Sequence, residues 1–158
     1  MNELKDVFLE QLNATYNESG WFTALKDALN GVTFEQAIWR ANENSNSIWG
    51  NVRHLVYWSE FFLEKYNPGS VEEILQLENA RTFDVPEEEK NEENWKREVE
   101  RLKRAIEGWR DALNEKPDKL KEGDWGKLLS GYLLHNAYHI GQIVTIRKQQ
   151  ESWTASGL

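Results

Sequence analysis

Cysteine is absent from the 158-residue chain. That excludes disulfides, thiolate zinc sites, iron–sulfur clusters and cysteine nucleophiles. Proline is scarce at three residues, and no stretch alternates apolar and polar residues as a strand would. No apolar run approaches the roughly 20 residues of a membrane span. The opening "MNELKDVFLEQL" is charged and amphipathic, unlike the apolar block of a signal peptide. Basic stripes are missing too, and the formal charge of −8 argues against nucleic acid as a partner. The expectation is a cytoplasmic protein, without membrane or nucleic-acid partners, folded as one domain over residues 1–158. Histidine is as scarce as proline at three residues, whereas tryptophan reaches eight.

What is present reads as helix. Leu4, Phe8, Leu12 and Tyr16 share one face of a first helix from about Asn2 to Tyr16. After "NESG", Trp21, Leu25, Ala28 and Leu29 resume the apolar stripe until Asn30 and Gly31. Thr33 and Gln36 suit a capping box for a short turn. A second long helix is predicted from "SNS" to Tyr66 on Ile48, Val52, Leu55 and Phe62, ended by "NPG". Ser70 and Glu73 read as a second capping box, opening a short helix "SVEEILQL", with an irregular crossing after it. The third long helix has the cleanest seam: Trp95, Val99, Leu102, Ile106, Trp109 and Leu113, closed by Pro117. The acidic run "PEEEKNEENW" reads as its solvated start, favoured by the positive end of the helix dipole. Asp124 is the predicted N-cap of a fourth helix reaching about Gln150. The fold class is therefore all-α, a four-helix bundle with short extra helices in its connections.

The fourth helix carries the chemistry. Leu128, Tyr132, His135, His139, Gln142 and Ile146 recur at 4-3-4-3-4, which sets both histidines on an inward seam. Side chains four apart on a helix stand about 5–6 Å apart at Cβ, so two imidazoles can meet on one ion. His54, in the second helix, supplies a third nitrogen if the two helices are neighbours. By spacing alone the histidines serve equally as core residues bonded to their neighbours. Three nitrogens are too few for a closed structural zinc site, which takes four ligands, so a metal here keeps an open position. No Glu follows the first histidine, which excludes the H-E-x-x-H metalloprotease motif.

Two stretches, "SIWGNVRHLVYWSEFFLEKY" and "LLHNAYHIGQIVTIRKQ", resemble the DinB-like, or YfiT-like, family. Its pattern pairs a His-Leu in the second helix with H-x-x-x-H-x-G-Q-I in the fourth. Here these are His54 and Leu55, then His135, His139, Gly141, Gln142 and Ile143. "LKDALNGVTFEQAIWR" resembles the segment preceding the second helix, so the likeness runs from about Trp21 to Gln150. The resemblance implies a four-helix bundle with a crossing connection, often dimeric. It also implies a divalent metal, usually nickel or zinc, on His54, His135 and His139. Some relatives are transferases or isomerases that use a small thiol, and most have no assigned reaction.

Helical neighbours of the histidines are the candidate substrate-binding residues: Asn51, Trp58 and Phe61 around His54, and Tyr132 and Gln142 around the pair. Glu60 is a conceivable general base, although its angle from His54 favours a solvated position. Arg147 matches a family position and reads as one half of a salt bridge. No catalytic residue beyond the histidines is identifiable. Two functions fit: a metalloenzyme that activates water or a low-molecular-weight thiol, of transferase or hydrolase type, and a non-catalytic dimeric bundle that binds metal or a small molecule.

Overall fold

Side chains that bond their own backbone decide where several of these helices begin. In the computed structural model, which describes residues 3–154, Thr33 Oγ1 accepts from Gln36 N while Gln36 Oε1 accepts from Thr33 N, the complete capping box. Ser47 Oγ caps Gly50 N, and Asn91 Oδ1 caps Asn94 N. The helices are α1 (Glu3–Tyr16), α2 (Leu25–Leu29), α3 (Phe34–Ile38), α4 (Ile48–Tyr66), α5 (Glu92–Glu115) and α6 (Trp125–Gln149). Tight 3₁₀ turns occupy Asn79–Phe83, Glu87–Glu89 and Pro117–Lys121. No strand occurs among the described residues.

The four long helices form the bundle. Each packs on two others in the circuit α4, α5, α1, α6. Helices α4 and α5 run parallel: Trp49 meets Trp95 at 5.6 Å between ring centroids, Trp109 Nε1 donates to Ser59 O, and Tyr66 OH donates to Lys116 O. A parallel pair needs a long connection, and residues 67–91 supply it. Helices α4 and α6 run antiparallel, with Asn51 opposite His139 and Ser59 opposite Tyr132. Two apolar clusters fill the interior. One centres on Trp49, Val52, Leu102 and Ile140, the other on Leu12, Leu63, Trp109 and Leu129.

Several local expectations are corrected. No helix forms over "SVEEILQL". The Glu64 carboxylate accepts from Gly69 N and Val71 N, and Ser70 Oγ donates back to Asn67 O, so the cap geometry for a new helix is already consumed. Segment 71–78 is irregular instead, with a bend at Val71 and Glu72. Trp21 does not join the stripe of α2; it is fully exposed ahead of the helix, whereas Leu25, Ala28 and Leu29 are buried. Asp124 precedes α6 but makes no side-chain cap bond. The most buried line of α6 is Leu129, Leu133, Asn136, Ile140 and Ile143, one residue beyond the predicted seam. The histidines thus lie on the flank of the buried arc that faces α4. Asn2, the predicted first residue of α1, lies outside the described residues.

Candidate metal centre

Antiparallel packing of α4 on α6 sets His54 opposite the His135 and His139 turns. Three Nε2 atoms converge: His135 Nε2 is 2.8 Å from His54 Nε2 and 3.1 Å from His139 Nε2. His54 and His139 are buried and His135 is half-buried. The three form a group whose ligand atoms could hold one metal ion.

The outer nitrogens of two rings are fixed by oxygens whose roles can be worked out. Thr82 Oγ1 gives its one proton to Asn79 O at 2.6 Å, so it accepts from His54 Nδ1–H, also at 2.6 Å. Asn51 Nδ2 donates to Ser47 O, which turns Asn51 Oδ1 toward His139 Nδ1–H at 2.9 Å. Both rings are therefore neutral tautomers with the Nε2 lone pair pointing inward. A proton on His135 Nε2 could serve only one of those two lone pairs. A divalent cation accepts from all three nitrogens, so the donor set fits a metal.

Electrostatics keep the rings unprotonated. Burial, then the facing His139 and His135, lower the His54 pKa to about 3. Burial, then His135, lower His139 to about 4, and burial lowers His135 as well. All three rings are thus neutral at neutral pH, each with one nitrogen able to accept.

The other predicted residues fall in different places. Asn51 holds His139. Trp58 stands edge-on to His54 and donates Nε1–H to Asn79 Oδ1. Tyr132 is buried and donates to Ser59 Oγ at 2.8 Å; burial pushes its pKa up, so it is a fixed neutral wall. Gln142 adjoins His139, and its buried Oε1 has no hydrogen-bond partner. Phe61 packs on Tyr57, Trp58 and Phe62 with Lys65 Nζ 4.2 Å above its ring, away from the opening beside His135. Glu60 points to the opposite side of α4, bonded by both oxygens to Arg101 at 2.8 and 2.6 Å. Arg147 makes no salt bridge among the described residues: it donates to Ala28 O, Asn30 O and Ser152 O, tying the end of α6 to α2.

Sequence reasoning missed the residues of the crossing connection. Thr82 holds His54, and the Phe83 ring stacks on the His54 imidazole at 3.9 Å, only 10° from parallel. Their stretch, "ARTF", carries no periodicity that would mark it. Gly50 is the one local signal. A Cβ there would meet Phe83 O at 2.8 Å, so glycine lets the crossing lie directly on α4. Phe62, read as core, instead lines the opening. That opening is a groove of about 350 Å³ walled by Trp58, Phe62, Asn79, Leu128 and Tyr132, with His135 at its end. No acidic or basic side chain other than His135 lines it. A larger cavity, about 690 Å³, lies on the other face of α4 and shares only Thr82 with the centre.

A bundle with a crossing connection and three histidines on its second and last long helices defines a class. The DinB superfamily model matches residues 18–143, a span holding all three histidines, and the chain belongs to that superfamily. No curated protein and no solved structure matches the chain.

Proposed function

We propose that the protein is a metal-dependent enzyme that activates a low-molecular-weight thiol, or a water, for attack on a small apolar electrophile. The observation that carries this reading is the convergence of three Nε2 atoms, two of them held as acceptors by Thr82 and Asn51. A divalent transition metal, nickel or zinc, held by those nitrogens supplies Lewis acidity that lowers the pKa of a thiol or water brought to it. The chain's own residues do the rest. Asn51 and Thr82 hold the ring protons on the outer nitrogens, and Phe83 covers the His54 face. Trp58, Phe62 and Leu128 form the apolar walls of a groove for an uncharged substrate.

Thiol transfer is favoured over hydrolysis. Activation of water gains from a nearby general base, and the carboxylate expected from the sequence to serve as one, Glu60, is spent on Arg101 across α4. A thiol with a metal-lowered pKa needs none. The same lack of a base supports the second reading, a non-catalytic bundle that binds metal or a small ligand. A cytoplasmic homodimer completes the proposal, supported by Leu134 and Tyr138, which stand exposed one turn apart on α6.

The deciding experiment incubates metal-loaded and metal-free protein with small thiols and monochlorobimane. Conjugation faster with the loaded protein is the expected result. Equal rates, with the metal bound, would leave the non-catalytic reading. Light scattering of the wild type and a Leu134→Glu variant tests the dimer.

A further inference from the structure

The cavity of about 690 Å³ between α4, α5 and the irregular segment 71–78 is separate from the histidine groove and meets the metal centre only at Thr82. Its size suits a small molecule. Its floor is apolar, from Val56, Leu63 and Ala105. Three groups around that floor have no partner among the described residues, one buried and two open to solvent.

The first is Glu98, which lines the cavity and is only 8 % exposed. Its Oε2 accepts from Trp49 Nε1, while its Oε1 is buried with no hydrogen-bond partner. Burial pushes this carboxyl up from its ordinary range, as befits a group short of donors. A donor from a ligand would satisfy this orphaned acceptor. The second is the backbone of Glu72 to Gln76. Val71 N is taken by Glu64 and Leu77 N by the Tyr57 hydroxyl, but between them neither N–H nor C=O enters a hydrogen bond among the described residues. Backbone groups left open in this way are available to an amide of a ligand. The third is Arg104 at the rim. Arg53 is occupied by Glu89 and Arg101 by Glu60, whereas Arg104 has no partner among the described residues.

We propose that this cavity is a second ligand site, for an N-acylated amino acid with an apolar side chain. Its amide N–H donates to Glu98 Oε1, and its acyl amide pairs with the open backbone of Glu72 to Gln76. Its side chain lies on Val56, Leu63 and Ala105, and its carboxylate pairs with Arg104. A free ammonium suits Glu98 less well than an amide, because Arg53 Nη1 stands 3.7 Å from Glu98 Oε2. The site does not depend on the metal reading.

The test is a ¹H–¹⁵N correlation titration of the full chain with N-acetyl-L-leucine. Shifts are expected at the amides of Glu72 to Gln76 and at the Trp49 indole N–H, with the Gly131 and Tyr138 amides beside the histidine groove unmoved. Arg104→Glu, at an exposed rim position, should leave the melting temperature unchanged and weaken binding about tenfold or more. N-acetyl-L-leucinamide, which lacks the carboxylate, should bind more weakly and be indifferent to that variant. No shifts at millimolar probe, shifts confined to the histidine groove, or equal affinity in Arg104→Glu would each overturn the proposal.

Discussion

The two faces of α4 handle polarity in opposite ways. On the face toward α5, charges answer charges: Arg53 bonds Glu89, and Arg101 clasps Glu60 with two nitrogens. Glu98 Oε1 and Arg104 stand outside these pairs, but the charges around them are matched by opposite charges. On the face toward α6, three like groups meet, and the protein supplies partners only for their outer sides. The inward nitrogens are left to one another; His135 and His139 lower the proton affinity of His54, and His135 lowers that of His139. A self-neutralising cluster secures structure. A cluster of identical acceptors, fixed from behind and short of donors in front, is arranged for something from outside.

Removing the inward nitrogens should break this contrast most completely. Protein purified without a tag or chelator should carry about one transition metal per chain. His135→Ala with His139→Ala should carry none by elemental analysis, with the bundle still helical by circular dichroism. The wild type should also lose thermal stability on chelation, by about 2.7 kcal/mol if the metal had stood at a hundred times its dissociation constant. Equal metal content in both proteins would remove the site.

Acid comes next. The pKa values of His54 and His139 in the folded protein lie below the ordinary 6.5, so the unfolded chain takes up protons first as pH falls. Stability of the metal-free protein should be flat above about pH 7 and fall as pH drops from about 6.5 toward 4. By pH 5 the loss should be on the order of 2–4 kcal/mol, read from the urea midpoint. A midpoint unchanged between pH 7 and 5 would mean that the rings are solvated.

The outer oxygens should give a smaller effect. Thr82→Val and Asn51→Ala each leave the three Nε2 atoms present but release one ring. Zinc affinity should fall about 10–100-fold in each, measured by competition with a chromophoric chelator. Wild-type affinity in both would show that the rings are held by packing alone. The smallest effect belongs to the other face. Arg101→Met should cost about 1 kcal/mol or less, because the guanidinium is half-exposed, and should leave metal content unchanged.

The sequence was most readable where a side chain acts on its own neighbourhood. The Thr33 box, the start of α4 near Ser47 and the stop at Asn67–Gly69 rest on contacts within a few residues, the seam of α5 rests on the helical period alone, and all are present. The histidine triplet was legible for a related reason: two of its members are one turn apart. Readings failed where a distant group intervened. Ser70 and Glu73 have capping spacing, but Glu64 of the preceding helix reaches their loop first. The rotation of α6 escaped because that helix is apolar on more than one side, so several seams fit the same letters. Thr82 and Phe83 escaped because their partner, His54, lies 28 residues before Thr82, and no local pattern encodes such a meeting.

Gly50 carries a consequence beyond its own turn. The crossing rests on the bare backbone of α4 at that point, so the height of Thr82 and Phe83 above His54 is gauged by the thickness of a hydrogen atom. A single added methyl would act as a shim. It would touch none of the three histidines, yet it would raise the ceiling that keeps one of them in register with the other two.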